Sequence, residues 1–245
     1  MSTLKSNAED LVLNADGASS EVKIQQNGSE RLTIDSSGKV GIGCSPTEQL
    51  HIESSSDPVE IRLRQTSNTN GFFFKNYNGG ECQFVNADNA AMVFKTNDTE
   101  RVRIDSSGRV TMPNQPAFDA YAPAATTQGN DVVFGSTRSN VGNHYSTSTG
   151  VFTAPVAGFY FFQFSILMGN SYSGSYQRVL WKINGSISTE YGDTLTDAGS
   201  HSDYASATMS LGISLAVNDT VEINNNGPIP TYGSSYGSFS GYLVG

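Results

Sequence analysis

The sequence is short of both charged and hydrophobic residues. Of its 245 residues, 15% are charged and 37% are hydrophobic, a low share for one compact globule. Runs of Ala, Leu, Glu and Lys at helical spacing are missing, so long helices are not expected. Glycine, serine, threonine and asparagine instead alternate with β-branched and aromatic residues. This mixture predicts an all-β protein of short strands joined by tight turns.

Cysteines and long apolar runs are scarce as well. Two isolated cysteines, Cys44 and Cys82, predict neither a disulfide framework nor a metal cluster, and we expect two small buried side chains. Residues 1–10 are polar, with no signal-peptide core, and no apolar stretch could cross a bilayer. We therefore expect synthesis in a host cytoplasm and no membrane insertion. The net charge of −9 disfavours nucleic acid as a partner.

An eleven-residue motif occurs twice, seventy positions apart. Residues 30–40 read ERLTIDSSGKV and residues 100–110 read ERVRIDSSGRV, identical at eight positions. Leu32 and Ile34 alternate with polar residues, as in a strand with one apolar face. The Asp-Ser-Ser-Gly segment predicts a turn in which Asp35 accepts backbone hydrogen bonds and Gly38 adopts positive φ. Each copy is therefore interpreted as a β-hairpin.

Similar hairpins are predicted throughout residues 11–113. Asn27-Gly28 and Asp16-Gly17 are strong hairpin signals, and four further short strands are expected. These strands are Glu60–Arg64, Phe72–Lys75, Gln83–Val85 and Met92–Lys95. Two or three apolar side chains per strand do not offset an ordering cost of about 1–2 kcal/mol per residue. We therefore expect several copies of the chain to complete one another's sheets.

The motif of residues 30–43, continuing through Cys44-Ser-Pro-Thr-Glu-Gln-Leu50-His51-Ile52, resembles the shaft segments of bacteriophage tail-fibre proteins. The resemblance covers about residues 10–113 and implies a homotrimeric shaft, similar to a β-prism or β-helix. Cys44 stands where such segments usually carry a small polar residue. No self-cleaving chaperone follows. Residues 1–10 would then be a segment that docks onto a virion protein.

After Pro113 the predicted strands become longer and richer in aromatic residues. Pro113, Pro116 and Pro123 indicate a junction over residues 114–123. In Phe159–Met168, aromatic side chains fall on both faces by period two, so both faces should be covered, one of them by a neighbouring subunit. Further strands are expected at Arg178–Ile183, Ile187–Tyr191, Ala207–Val217, Thr220–Asn224 and Ser238–Val244, the last of them central in its sheet. Eight to ten strands in this half suit a jelly roll.

Residues 116–245 resemble the globular head of the complement first-component recognition protein, in the tumour-necrosis-factor-like superfamily. The matching residues are Phe118, Ala120, Asn140–Tyr145, Thr149–Phe162 and Phe239–Leu243. The resemblance implies a tight homotrimer, with aromatic residues near its threefold axis and ligand binding through loops. The candidates for the trimer core are Phe159, Tyr160, Phe161, Phe162, Phe164, Phe239 and Tyr242. No collagen-like stalk precedes the head, which favours a viral fibre tip over an animal complement protein.

No catalytic constellation is recognised, so an enzyme is not expected. His201 lies in a serine-rich loop where sequence proximity means little. Asp193, Asp197 and Asp203 could hold Ca²⁺ or act as glycosidase carboxylates, but without EF-hand spacing solvated side chains are the favoured interpretation. No cofactor is otherwise expected. Tyrosines interleaved with Gly, Ser and Asn suit a recognition surface, or packing at sheet edges. They are Tyr172, Tyr176, Tyr191, Tyr204, Tyr232 and Tyr236.

These features lead to one functional hypothesis and two rivals. The first is a receptor-binding subunit of a bacteriophage homotrimeric fibre, located in the virion, whose knob binds a host-surface glycan or protein. The second is a decoration fibre of a capsid or baseplate with a purely structural role. The third is a tailspike-like depolymerase.

Overall fold

A computed structural model describes residues 15–67, 70–123, 130–168, 177–196, 205–225 and 236–245. Throughout these ranges the regular structure is β-strand, so the predicted all-β class is confirmed. None of the described segments forms a helix with the length and hydropathy that a bilayer crossing demands. The chain divides into two compact units, residues 1–92 with 104–109 and residues 93–103 with 110–245.

Three small sheets precede the head. The first has four strands in chain order, with β3 and β4 parallel. The second has three antiparallel strands, and the third has the order β10-β9-β8. Their bounds are β1 Val22–Gln26, β2 Ser29–Ile34, β3 Val40–Ile42, β4 Leu50–Ile52, β5 Val59–Leu63, β6 Phe72–Asn76, β7 Cys82–Asn86, β8 Met92–Thr96, β9 Thr99–Ile104 and β10 Val110–Thr111. The four strands predicted between the repeats are present, and each of their ends differs from the prediction by at most one residue.

The repeated motif folds in the same way in both copies. The Asp35 carboxylate accepts hydrogen bonds from the amides of Ser37 and Lys39, each 2.8 Å long, and Gly38 has φ +80°. Asp105 repeats this pattern, and its carboxylate accepts from the amides of Ser107 at 2.8 Å and Arg109 at 3.0 Å. The predicted turn chemistry is therefore confirmed.

The sheets that precede the head bury little. Across residues 15–67 and 70–111, Phe73 is the only buried large hydrophobic side chain. Leu50, Leu63 and Phe84 are exposed, the last at 64%. The structure shows separate small sheets here, and it does not show the continuous β-prism or β-helix shaft that was predicted for residues 11–113.

The head is a sandwich of two sheets. The front sheet has the order β13-β11-β20-β15-β18, and the back sheet has the order β12-β19-β16-β17, with β14 also beside β19. This arrangement confirms the predicted jelly roll, and β20, the last strand, lies between β11 and β15 as predicted. The bounds are β11 Ala117–Pro123, β12 Asn130–Asp131, β13 Phe134–Val141, β14 Phe152–Thr153, β15 Gly158–Met168, β16 Gln177–Ile183, β17 Ser186–Thr196, β18 Ala205–Leu215, β19 Thr220–Asn225 and β20 Gly237–Leu243.

The junction predicted for residues 114–123 is too long. Residues 117–123 are strand β11, which pairs with β13 and β20. Pro123 is tolerated because it is the last residue of β11, opposite Phe134, where the ladder ends and its missing N–H costs little.

Aromatic rings fill the space between the two head sheets. Phe118 packs edge-on against Phe239 with ring centroids 4.8 Å apart, and Phe164 packs edge-on against Trp181 at 4.9 Å. Such edge-to-face pairs add about 0.5–1.5 kcal/mol each to the burial of their area. The core is therefore held by interlocking rings as well as by the hydrophobic effect.

Gly241 makes room for these rings. A Cβ atom at this position would lie 2.3 Å from Cδ1 of Phe162 and 2.9 Å from Cε1 of Phe118. Both rings belong to the buried core and have little freedom to move. Glycine at position 241 is thus required by the close approach of two aromatic side chains.

We predict that Gly241→Ala lowers the free energy of unfolding of the head by about 1–3 kcal/mol, because it overpacks the core. The control is Gly135→Ala, where a Cβ would meet nothing closer than the Ala122 carbonyl oxygen at 3.9 Å. Gly135→Ala should change the unfolding free energy by about 0.5 kcal/mol or less. Denaturant unfolding of both variants measures the difference, and equal effects would contradict the prediction.

Candidate functional site

The outer face of the front sheet carries an apolar patch at one end. We call Phe159, Phe161, Tyr242 and Val244 the outer aromatic patch. Phe159 is 45% exposed, Tyr242 48% and Val244 53%, and Phe161 is partly buried. The rings of Phe161 and Tyr242 lie side by side, with centroids 5.7 Å apart. Contiguous exposed apolar patches on protein surfaces often mark sites of interaction.

Strand register builds this patch. Phe161 lies opposite Tyr242 on one side and Gly212 on the other. A Cβ at Gly212 would lie 2.8 Å from Cζ of Phe159, so the glycine leaves space for that ring. The amide of Phe159 donates to the Gly245 carbonyl, and the amide of Val244 donates to the Phe159 carbonyl, each at 2.8 Å. These bonds fix the last residues of the chain beside the patch.

The rows next to this patch on the same face are polar. Gln163 lies opposite Ser210 and Ser240, and the next outward row holds Ser165, whose hydroxyl is 3.3 Å from that of Thr208. Farther along the sheet, the Arg138 guanidinium lies 4.5 Å from the centre of the Tyr121 ring and pairs with Asp119 at 3.1 Å. The outer face therefore combines an apolar end with hydrogen-bonding rows, as contacts between protomers commonly do.

The structure divides the seven candidates for the trimer core. Four of them are completely buried within one protomer: Tyr160, Phe162, Phe164 and Phe239. They face the back sheet because alternate residues of a strand point to opposite faces. They form the protomer's own core, and their assignment to a contact between protomers is corrected. Phe159, Phe161 and Tyr242 remain on the outer face.

The tyrosine candidates for recognition are also divided. Tyr172, Tyr176, Tyr204 and Tyr232 lie outside the described residues. Tyr191 is partly buried and packs against the core of the head, so it is a structural side chain. Tyr236 is 55% exposed and directly precedes β20. Only Tyr191 and Tyr236 of the six lie among the described residues, so a shared recognition surface stays a prediction.

The side chains of the three acidic calcium candidates lie outside what the structure describes. The backbone of Asp193 lies in β17, opposite Leu180, and nothing is described of its side chain. Asp197 and Asp203 lie outside the described residues. Calcium binding there stays a prediction.

A charged cluster on the back sheet was not recognised from the sequence. The Lys182 ammonium donates to the carboxylates of Asp131 at 2.7 Å and Glu222 at 3.1 Å, and Asn224 donates to Asp131 at 2.8 Å. Lys182 is opposite Glu222 on neighbouring strands, whereas Asp131 is far away in the sequence. Only the register of the sheet brings these four side chains together.

Burial and pairing act against each other in this cluster. Burial by itself raises the pKa of Asp131, but the hydrogen bonds from Lys182 and Asn224 outweigh it and the pKa lies below its usual value. Burial lowers the pKa of Lys182, but its bonds to Asp131 and Glu222 outweigh that effect and the pKa is raised. The cluster therefore stabilises the head above the usual carboxylate pKa, and that contribution falls as Asp131 is protonated in acid or Lys182 loses its proton in alkali.

Residues 117–244 match the family model of the C1q domain. The chain belongs to the C1q domain family. One relative, a complement C1q subcomponent protein of Bos taurus, is 37% identical over 60 residues, which are 24% of this chain and 25% of that protein. Complement C1q tumor necrosis factor-related protein 3 of Mus musculus is 29% identical over 132 residues, 53% of this chain and 51% of that protein. The chain thus spans a quarter of the length of the Bos taurus protein and about half of the length of the Mus musculus protein.

Two solved structures each align with about half of the chain. The globular domain of zebrafish complement 1qA protein gives a TM-score of 0.39 at 21% identity, over 54% of this chain and 98% of that one. Murine APRIL, in a crystal structure at pH 8.5, gives 0.40 at 12% identity, over 53% of this chain and 99% of that one.

The functional hypothesis drawn from the sequence is wrong. The relatives are mammalian complement C1q and C1q/TNF-related proteins, and no viral protein supports a bacteriophage fibre, a decoration fibre or a virion location. The likeness of residues 10–113 to tail-fibre shafts also finds no support. The jelly-roll C1q-like head at residues 116–245 is confirmed, with matched bounds of 117–244.

We predict that Lys182→Met lowers the free energy of unfolding by about 1–2 kcal/mol at neutral pH, because two partly buried carboxylates lose their cation. The loss should shrink in acid, where Asp131 of the wild type is itself protonated. Arg138→Met is the control, since its pair with Asp119 is exposed and should matter by about 0–1 kcal/mol. Thermal unfolding over a pH series tests this, and a pH-independent effect of Lys182→Met would contradict it.

Proposed function

We propose that this chain is a self-associating, non-enzymatic recognition protein whose C1q-type head forms a homotrimer through the outer aromatic patch. The observation that carries the proposal is the two-sided pattern of β15. Its inner side chains are completely buried in the protomer, whereas Phe159 and Phe161, with Tyr242 beside them, face outwards. A second copy of the same chain is the partner that family membership favours.

Area and symmetry are compatible with this assembly. Completely burying one large apolar side chain contributes roughly 1.5–3 kcal/mol, and the patch holds four apolar side chains. In a closed ring of protomers, the patch of every protomer is buried in the same way. The free energy gained by burying one patch is therefore gained once per protomer. The polar rows around Gln163 and Ser240 could supply hydrogen bonds at the rim.

The sheets that precede the head support the same proposal. Leu50, Leu63 and Phe84 are exposed, and Phe73 alone among the large hydrophobic side chains described there is buried. A trimeric head would hold three such segments close together and raise their effective concentration. We therefore propose that residues 11–113 form a β-shaft only when neighbouring copies cover these apolar side chains.

A non-catalytic role fits the charged groups that the structure describes in the head. The Lys182 ammonium pairs with the carboxylates of both Asp131 and Glu222, so these groups are committed to holding the back sheet together. The proposal needs no cofactor for the head. Its biochemical output is assembly and the display of loops in several copies.

We expect the double variant Phe159→Ser with Tyr242→Ser to convert the trimer to monomers at micromolar concentration. Each lost contact worth about 1.4 kcal/mol raises the dissociation constant tenfold. Sedimentation equilibrium of the full chain measures the mass. The control is Ile187→Ser in β17 of the back sheet, which is also 45% exposed. A wild-type monomer at that concentration, or equal dissociation of the control, would overturn the proposal.

We also propose that Tyr236 contributes to glycan recognition by the assembled head, because an exposed aromatic ring can stack on a sugar. Tyr236→Ala should keep the trimer mass and weaken binding to an immobilised glycan panel by tenfold or more. Tyr121→Ala is a control, since its partly buried ring is occupied by Arg138. Unchanged glycan binding by Tyr236→Ala, or no glycan binding by the wild type, would remove this residue from the recognition surface.

A further inference from the structure

Three different metal-ligating side chains converge beside the only parallel strand pair of the described sheets before the head. The ligand atoms of Cys44, His51 and Glu53 all lie within 4.8 Å of one another. Cys44 and His51 are partly buried and Glu53 is exposed. A thiol, an imidazole and a carboxylate in one place form a donor set that suits a first-row transition metal.

The strand geometry explains why these residues meet. In the parallel pair, Gly41 of β3 is opposite His51 of β4, and the Glu53 amide donates to the Ile42 carbonyl at 3.0 Å. His51 and Glu53 are two residues apart in an extended segment, so their side chains point to the same face. Cys44 follows the end of β3, and the chain turns there over that face.

Two glycines allow the turn to sit against the sheet. A Cβ at Gly41 would lie 2.3 Å from the carbonyl oxygen of Cys44 and 2.9 Å from Cδ of Pro46. Gly43 has φ +78°, and a Cβ there would lie 2.3 Å from the carbonyl oxygen of Glu53. Without side chains at these two positions, the turn brings Cys44 down onto His51.

Hydrogen bonds already orient the imidazole and the thiol. Nδ1 of His51 lies 3.3 Å from the hydroxyl and 3.4 Å from the amide of Thr47. The carbonyl of Thr47 is itself held by the Lys39 ammonium at 2.7 Å. Sγ of Cys44 lies 3.6 Å from the His51 carbonyl oxygen. The Thr47 amide donates to Nδ1, so a neutral imidazole held by this bond carries its proton on Nε2. A metal on Nε2 would require the other tautomer, in which Nδ1–H donates to the Thr47 hydroxyl, an outer hydrogen bond of the kind typical of metal-bound histidine.

We propose that Cys44, His51 and Glu53 bind one Zn²⁺ ion, with water in the fourth position. Zn²⁺ takes sulfur, nitrogen and oxygen ligands tetrahedrally, at roughly 2.0–2.3 Å, so bound ligand atoms are roughly 3.4–3.6 Å apart. The three ligand atoms lie within 4.8 Å of one another, so small side-chain rotations must bring them closer together around the ion. Ca²⁺ and Mg²⁺ are disfavoured because they require oxygen ligands.

The ion would add stability where the chain has little hydrophobic core. It would connect the turn of residues 43–49 to β4, in a sheet whose large apolar side chains are mostly exposed. Small domains of this kind commonly use a metal in place of buried area. The inference replaces the expectation from the sequence that the two cysteines form no metal site. It does not depend on the state of the head.

Cobalt titration of the reduced full-length chain tests the site, because Co²⁺ substitutes for Zn²⁺ and absorbs strongly when a thiolate binds it. We expect one Co²⁺ per chain, a thiolate-to-cobalt absorption band, and displacement of the cobalt by added Zn²⁺. Cys44→Ser should abolish the band. Cys82→Ser is the matched control and should keep it, since Cys82 is exposed and contacts Asn76 in a different sheet.

If Cys44→Ser fails to fold, a second variant and a second measurement still test the proposal. Glu53→Gln, at an exposed position, should keep the thiolate band but raise the cobalt dissociation constant by about tenfold or more. Loss of an outer hydrogen bond already weakens metal binding by about tenfold or more, and loss of a direct ligand should weaken it further. Zn²⁺ should also raise the melting temperature of the wild type and of Cys82→Ser. No thiolate band in the wild type, a band that persists in Cys44→Ser, or an unchanged affinity in Glu53→Gln would overturn the proposal.

Discussion

Strand β15 presents aromatic side chains on both of its faces, and the rest of the head is arranged around this constraint. The inner rings require a second sheet, which is supplied by β16 and its neighbours, and they require Gly241 to pass between Phe118 and Phe162. Within the part of the protomer that the structure describes, the outer rings of Phe159 and Tyr242 remain about half exposed. An assembly of several chains would cover that exposed face, so the proposed self-association would involve the same strand that builds the core.

The sheets before the head are stabilised in a different way. They have little buried apolar area, so their order depends on local hydrogen bonding, as in the carboxylate-capped turns at Asp35 and Asp105. Such turns fix the direction of the chain but contribute only about 0.5–1.5 kcal/mol per hydrogen bond. Neighbouring copies and a bound metal are two ways to add the missing stability. Both act in the same part of the chain and can be tested separately.

The failure of the viral hypothesis has a physical explanation. The repeated Asp-Ser-Ser-Gly hairpin is a solution to a local problem, the reversal of a short strand, and unrelated proteins can reach it independently. It therefore resembles a shaft without identifying the particle that carries one. The C1q domain spans residues 117–244 and combines core rings, glycines and strand order, which is a much more restrictive pattern. The pattern of the whole domain therefore identifies the fold and the family. A local hairpin motif does not identify the function in the same way.

Local chemistry was readable from the sequence: the all-β class, the turn at Asn27-Gly28, the period-two pattern of β15 and the central position of β20 all appear as predicted. These features depend on neighbours in the chain or on simple alternation. Which aromatic residues face outwards, the Asp131–Lys182–Glu222 cluster and the meeting of Cys44 with His51 required the tertiary structure. Each of them depends on strand order and register, which bring together residues that are separated in the sequence, and no local pattern encodes that pairing.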